Sequence, residues 1–246
     1  MLSELARIRI VLVEPAGPLN VGSVARAMKN MGLTQLVLVN PHCDPVGEEA
    51  RRMAVHGQEI LATATQVATL SEGLAGCQRA IATTARPRAS TSLESPRTAL
   101  PWLLTTAGES ALIFGPEDRG LSNQELNYGQ RFIAIPANPE YPSLNLAQAV
   151  AICAYELYQA SRQLTDEPEN DTEQSASLEI LEGYYQHLES VLLKMEYLYP
   201  HTATARMEKL RRIYNRAHLS REEVALLRGI VRQTSWALQF LPQNNE

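Results

Sequence analysis

The chain has 246 residues, 45% of them hydrophobic, and a formal net charge of −5. Size and apolar share together support one large domain or a domain with an appendage, and they exclude a chain that is disordered throughout. No apolar run reaches the roughly 18 residues that cross a bilayer, so no membrane partner is expected.

From the N-terminus, "RIRIVLVE" reads as a strand and "VGSVARAMKNMG" as a helix closed by Gly32. "LVLVN" is a second strand. A helical stretch ending near Cys77 leads to the strands "AIATTA", "ALIFG" and "RFIAIPA". "LNLAQAVAICAYELYQA" then reads as a helix, with Leu146, Val150, Ala154 and Leu157 along one face. Apolar strands alternating with helices predict an α/β fold, a parallel sheet covered on both faces, over residues 1–163. "TDEPENDTEQSAS" is polar, acidic and proline-containing, which marks residues 164–177 as a linker. From Leu178 to the end, residues 178–246, the pattern is wholly helical. The runs are "LEILEGYYQHLESVLLKM", "ARMEKLRRIYNRA" and "REEVALLRGIVRQTSWALQFL".

Charge is unevenly spread. Thr165 to Glu182 holds seven acidic residues and no basic one, whereas Arg206 to Arg232 holds eight Lys/Arg against three Glu. A basic segment suits a polyanionic partner despite the negative total. Lys209, Arg212 and Arg216 recur at helical spacing and share one predicted face, with Leu210 and Ile213 turned toward a neighbouring helix. The three cysteines, Cys43, Cys77 and Cys153, are far apart and lack C-x-x-C spacing. Neither a metal site nor a disulfide framework is expected, and a reducing cytoplasm fits. The N-terminal "MLSELARIRIVLVE" does not read as a secretory signal.

Three loops carry more polar residues than a turn requires. In "EPAGPLNVGSVARAMKNMG", Asn20 is placed to cap a helix starting at Val21, Gly22 allows close approach of backbone or ligand, and Arg26 follows one turn on. A capped helix with an exposed arginine explains this loop equally well, and the G-x-G-x-x-G dinucleotide fingerprint is absent. In "ALIFGPEDRGLSNQEL", a strand ends at Gly115, the charged Glu117-Asp118-Arg119 lies between two glycines, and Ser122 with Glu125 forms a capping box. The carboxyl end of a parallel strand is where open α/β sheets bind ligands. In "IPANPEYPSLNLAQAV", Pro136, Pro139 and Pro142 stiffen a loop that ends on Ser143 and Asn145, whose side chains can cap the next helix or touch a ligand.

Taken in order, Asn20-Val-Gly22-Ser-Val-Ala-Arg26, Phe114-Gly115-Pro116-Glu117-Asp118-Arg119-Gly120-Leu121 and Ser143-Leu144-Asn145-Leu146 resemble the three motifs of the SPOUT RNA methyltransferases of the SpoU type. That branch methylates ribose 2′-hydroxyls. Gly22–Leu33, Asn138–Val150, Lys209–Ala217 and Leu227–Ile230 are further similar to the members that modify the tRNA anticodon loop. The resemblance implies a sheet with a C-terminal deep trefoil knot, a helical tRNA-binding extension and a homodimer whose active sites draw on both chains. It implies an S-adenosylmethionine site at Thr83, Thr84, Ala85, Gly115, Ile135, Pro142, Ser143 and Leu144, with glycine at 115 leaving room for adenine. It assigns methyl transfer to Arg26, Ser143, Asn145, Asn20 and Glu117, with Glu117 holding Arg26 or the loop. The resemblance implies Arg26 as the base; because arginine keeps its charge in proteins, the alternative role is electrostatic, gripping a phosphate and stabilising a developing alkoxide. Arg86, Arg88 and Arg119 near the loops, and Lys209, Arg212 and Arg216 in the tail, are the expected RNA contacts. No metal is required, since the methyl donor is already activated. The implied target is the 2′-hydroxyl of nucleotide 32 of tRNA. The competing readings are methylation of another tRNA position or of rRNA, a non-catalytic RNA-binding module, and a nucleotide-dependent oxidoreductase.

Overall fold

The computed structural model describes residues 4–85, 92–163, 175–217 and 219–240. Most of the expected linker, Arg86 and Arg88 lie outside these residues. The chain divides into two compact units, Met1–Asp171 and Thr172–Glu246.

The first unit runs β1 (Ile8–Val13), α1 (Pro18–Asn30), β2 (Gln35–Val39), α2 (Glu48–Ala54), α3 (Gln58–Ala62), β3 (Thr65–Val67) and α4 (Leu70–Gly73). It continues with β4 (Cys77–Thr83), β5 (Leu93–Glu94), α5 (Pro96–Ala99), α6 (Pro101–Leu104), β6 (Glu109–Phe114), α7 (Asn123–Leu126), β7 (Arg131–Ile133) and α8 (Leu146–Gln163). All strands pair in parallel, in the order β3-β2-β1-β6-β4-β7-β5. Ile10, Val11 and Leu12 of β1, and Ala111, Leu112 and Ile113 of β6, are fully buried. Consecutive residues point to opposite faces of a strand, so burial of all of them means that both faces are covered. The order reverses beside β1: the chain builds outward through β2 and β3, then returns to lay β6 and β4 on the other side. Such a switch opens a crevice at the carboxyl ends of the central strands.

Two strands escaped the sequence reading. The three-residue β3 has exposed Thr65 and Gln66, and β5 has two residues, so neither carries a buried apolar run. The helical stretch expected to end near Cys77 is the short α4, and Cys77 itself opens β4. The strand read as "RFIAIPA" ends at Ile133, and the chain leaves the sheet before Pro136.

The first helix also starts earlier than expected. Pro18 occupies its first turn, where a missing N–H costs nothing and the fixed φ is already helical. Gly17 is the N-cap and makes no side-chain bond, so Asn20 does not cap the helix. At Gly22 a Cβ would lie 2.2 Å from the Ala50 carbonyl oxygen and 2.8 Å from Met53 Cβ. The close approach is therefore by α2, not by a ligand.

The second unit consists of α9 (Leu178–Lys194), α10 (Ala203–Ala217) and α11 (Arg221–Ala237). Ser177 caps α9, and Ser220 with Glu223 forms a capping box on α11. Leu181, Tyr184, Leu188, Met207, Val224 and Val231 form its core. Ile213 does not pack inward as expected and is 53% exposed. Ala203, Met207 and Tyr214 take the inner stripe of α10, which turns Ile213 outward beside exposed Lys209 and Arg216. One polar layer crosses the unit. Arg211 donates to both oxygens of Glu182 at 2.6 and 2.8 Å and lies over the Tyr185 ring at 4.6 Å, while the Tyr185 hydroxyl donates to Asn215 Oδ1 at 2.7 Å.

Burial by itself raises the pKa of the Glu182 carboxyl, but hydrogen bonding and charge from Arg211 outweigh it and hold the group below its ordinary range. A depressed folded pKa stabilises above the unfolded value of ~4.3 and is lost as pH falls through the folded one. Glu182→Gln is therefore expected to destabilise the second unit by ~2 kcal/mol at neutral pH. The difference from the unaltered chain should shrink in urea titrations below about pH 4; a difference independent of pH would contradict this account.

Candidate active site

At the carboxyl ends of β4, β6 and β7 lies a cleft of about 230 Å³. It brings together all eight residues expected to hold the cofactor: Thr83, Thr84 and Ala85 after β4, Gly115 after β6, Ile135 after β7, and Pro142, Ser143 and Leu144 before α8. Buried Phe114, Leu121, Ile133 and Leu146 form its apolar floor. Thr83 donates its hydroxyl to the Ile113 carbonyl at 3.0 Å, so this side chain serves as wall. Among the described residues, the amides of Ile135, Ser143 and Leu144 have no protein acceptor and remain free to donate. Apolar surface with a few convergent backbone donors is the usual make-up of a small-molecule site.

Gly115 does not leave room for a ligand. A Cβ there would meet Leu121 N at 2.3 Å and Gly120 C at 2.4 Å, so the space is filled by the chain's own turn. That turn closes on a Gly120 N to Pro116 O bond of 3.0 Å, with Gly120 at φ +67. Arg119 locks it. One guanidinium nitrogen donates to Glu14 at 2.7 Å, and the two together bond both oxygens of Glu125 at 2.9 and 3.0 Å. Burial raises Glu125, but bonds from Arg119 and Ser122 outweigh it and hold the carboxyl below its ordinary range; bonds to Glu125 and Glu14 push the guanidinium up. Arg119, expected to meet RNA phosphate, is thus committed to two carboxylates. Glu14 was missed as a site residue. Its trace in the sequence is a charge placed directly after the apolar run of β1, where both Glu14 (φ 47) and its neighbour Asn40 (φ 45) adopt left-handed backbone. Residues other than glycine held this way cluster at functional sites.

A second network joins the three motif loops. Asn145 Nδ2 donates to Asn20 Oδ1 at 2.9 Å, and Asn20 Nδ2 donates to Glu117 Oε1 at 2.8 Å. The other Glu117 oxygen accepts from Ala16 N at 3.2 Å. Asn145 Oδ1 accepts from Ala147 N at 2.9 Å and Gln148 N at 3.4 Å, so Asn145 both caps α8 and belongs to the network. Glu117 accordingly holds Asn20 and not Arg26. Arg26 is exposed and has no hydrogen bond or ion pair among the described residues. Ser143 is exposed at the cleft edge. Lys209 and Arg216 are exposed on α10 of the second unit, and Arg212, half-buried, lies 3.9 Å from Glu208. Burial pushes the thiols of Cys77 and Cys153 up to about 12; burial, then Glu117 and Asp44, raises that of Cys43. None is poised as a nucleophile.

A crevice at the carboxyl ends of β4, β6 and β7, walled by the turns after β4 and β6 and the loop before α8, defines a class of small-molecule site, and the comparisons agree with it. The model of the SpoU rRNA methylase family matches residues 7–155, and the chain belongs to that family. The model of the C-terminal domain of the tRNA methyltransferase TrmJ matches residues 179–243. The tRNA (cytidine/uridine-2′-O-)-methyltransferase TrmJ of Pectobacterium atrosepticum is 40% identical, over 92% of this chain and 96% of its own. The tRNA (cytidine/uridine/adenosine-2′-O-)-methyltransferase TrmJ of Pseudomonas aeruginosa is 42% identical, over 94% of each. The crystal structure of TrmJ from Z. mobilis ZM4 aligns with a TM-score of 0.82 at 32% identity, covering 92% of this chain and 98% of that one.

The Asn20 relay can be tested by reversing its polarity. Asn20→Asp sets an oxygen against the Glu117 carboxylate, and loss of one charge-assisted bond of ~1.5–3 kcal/mol corresponds to a roughly 10- to 150-fold fall in kcat/KM for methyl transfer. Asn20→Asp with Glu117→Gln restores a donor between the two positions and should recover part of that loss. No recovery in the double variant would show that the relay is not what holds the loops.

Proposed function

We propose that this chain transfers a methyl group from S-adenosylmethionine to a ribose 2′-hydroxyl of tRNA. The observation that carries this reading is the Asn145–Asn20–Glu117 relay, which joins three loops far apart in sequence at the edge of the cleft that Glu117 lines. SpoU methyltransferases depend on S-adenosylmethionine, and the cleft fits it. An apolar floor suits a flat adenine, and the amides of Ile135, Ser143 and Leu144 suit its polar edges or the amino-acid moiety. When bound, the cofactor supplies a methyl group already activated on a sulfonium.

The remaining tasks fall to the chain's own residues. The Ser143 hydroxyl, exposed at the cleft edge, orients the 2′-hydroxyl, and Asn145 fixes that edge relative to α1. Arg26 binds the adjacent phosphate and stabilises charge developing on the ribose oxygen. Much of the acceleration then comes from placement, for which effective molarities reach ~10⁵ M or more. The C-terminal match to TrmJ, together with relatives named for tRNA along nearly the whole chain, favours tRNA over the rRNA of the family's name. The relatives' names differ in the bases they include, cytidine and uridine in one and adenosine as well in the other. Nucleotide 32 of the anticodon loop is the proposed position. Also within this reading, the segment leading into α8 closes a deep trefoil knot, and two copies pair as a homodimer in the cytoplasm. The exposed face of α8, with Ile152, Tyr155 and Tyr158, supplies apolar surface for pairing. Arg86, Arg88, Lys209, Arg212 and Arg216 are the proposed phosphate contacts.

Arg26→Ala is expected to reduce methylation of tRNA to background while calorimetry finds S-adenosylmethionine bound with near-unaltered affinity. Loss of cofactor binding by the folded variant would place Arg26 in the wrong role. A chain ending at Gln163 should still bind cofactor but lose most tRNA affinity. For the full chain log affinity should fall with log salt by roughly 0.7 to 0.9 per phosphate contact. Full methylation by the shortened chain would remove the second unit from substrate binding.

A further inference from the structure

The turn between α9 and α10 exposes aromatic rings that the core of the second unit does not use. Tyr197 and Tyr199 are 56% and 49% exposed, on either side of Leu198, which is 1% exposed and anchors the turn. His201, also exposed, stacks on Tyr199 with centroids 6.0 Å apart and planes at 21°. Arg206 lies over the Tyr197 ring at 5.7 Å. It donates through one terminal nitrogen to the Tyr197 carbonyl at 2.7 Å, leaving the rest of the guanidinium exposed.

The turn is built to hold these rings out. Tyr197 N and Leu198 N both donate to Leu192 O at 3.1 Å. On the far side, Thr202 N and Ala203 N both donate to Tyr199 O at 2.8 Å. Glu196 enters it in left-handed backbone at φ 58. Neither phenol hydroxyl has a hydrogen-bond partner among the described residues, so burial of a polar group does not explain the placement. Exposed Arg206 adjoins the rings, exposed Lys194 ends α9 just before the turn, and Glu196 is the one carboxylate within the turn itself. Pinned flat rings beside cations are what an unpaired nucleotide requires: a face for its base and a charge for its phosphate.

We infer that Tyr197, Tyr199 and His201 form a stacking platform for unpaired nucleotides of the tRNA, with Arg206 at the adjoining phosphate. The inference rests on the tRNA reading above and deepens it. It assigns part of the second unit's affinity to base stacking, which salt does not screen, alongside the phosphate contacts of α10, which it does.

The test measures binding of an in vitro tRNA transcript to the full-length chain by fluorescence anisotropy across a salt series. Tyr197→Ala and Tyr199→Ala should each weaken binding about tenfold. The slope of log affinity against log salt should stay unchanged, because a neutral ring releases no counterion. Tyr197→Phe and Tyr199→Phe should bind within about twofold of the unaltered chain, since the π-face is kept. Arg206→Ala should lower the slope by about one. Toward a fully paired RNA duplex the alanine variants should match the unaltered chain. Alanine variants that bind tRNA normally, or phenylalanine variants as weak as the alanine ones, would overturn the platform while leaving the tRNA reading intact. Failure of the unaltered chain to bind tRNA would instead overturn that reading, and the platform with it.

Discussion

The site is organised around a short hydrogen-bonded chain, from Asn145 through Asn20 to Glu117. Its members come from the helix after β1, the turn after β6 and the loop before α8, and 97 and 125 residues separate Asn20 from its two partners. Each member has a second attachment. Asn145 caps α8 through Ala147 and Gln148, Glu117 holds the amide of Ala16, and Asn20 lies within the first turn of α1. Displacing any one of them therefore moves a helix end or a turn as well as a side chain. An asparagine suits the middle position because its amide accepts on one side and donates on the other.

Around that chain the turn after β6 is held under local strain. The left-handed Glu14 aims its carboxylate at Arg119, which also grips Glu125, and Glu125 reaches back to the amide of Ser122. Gly115 lies so close under the Gly120–Leu121 backbone that no side chain fits between them. The result is a cleft wall set before any ligand arrives. Preorganised walls matter for a reaction in which the protein contributes placement and electrostatics rather than covalent chemistry.

The second unit divides its charges differently. Arg211 is spent internally on Glu182 and Tyr185, while Lys209, Arg216 and Arg206 remain exposed. A count of basic residues along α10 therefore overstates what a polyanion can meet, and the exposed rings of the α9–α10 turn are invisible to it. The total charge of −5 conceals both, since it only sums 27 Asp and Glu against 22 Lys and Arg along the whole chain.

Local pattern was enough for much of this. Apolar runs such as "IVLV" and "ALIF" determined buried parallel strands, because a strand segment covered on both faces needs every side chain to be apolar. The Ser122–Glu125 box and the capping role of Asn145 were legible, since a cap acts on amides two or three residues away. The order of three motifs pointed to the cleft, and all eight residues drawn from them and their neighbours do meet there. What only the tertiary structure decided involves partners distant in sequence. Asn20 reads as a cap until Glu117 and Asn145 arrive to claim it. Arg119 reads as a free cation until Glu14, 105 residues away, closes on it. Ile213 reads as core until Tyr214 and Met207 take the inner stripe of α10. Spacing constrains what neighbours along the chain can share, whereas the use of a polar side chain is settled by whichever groups folding brings within about 3 Å of it.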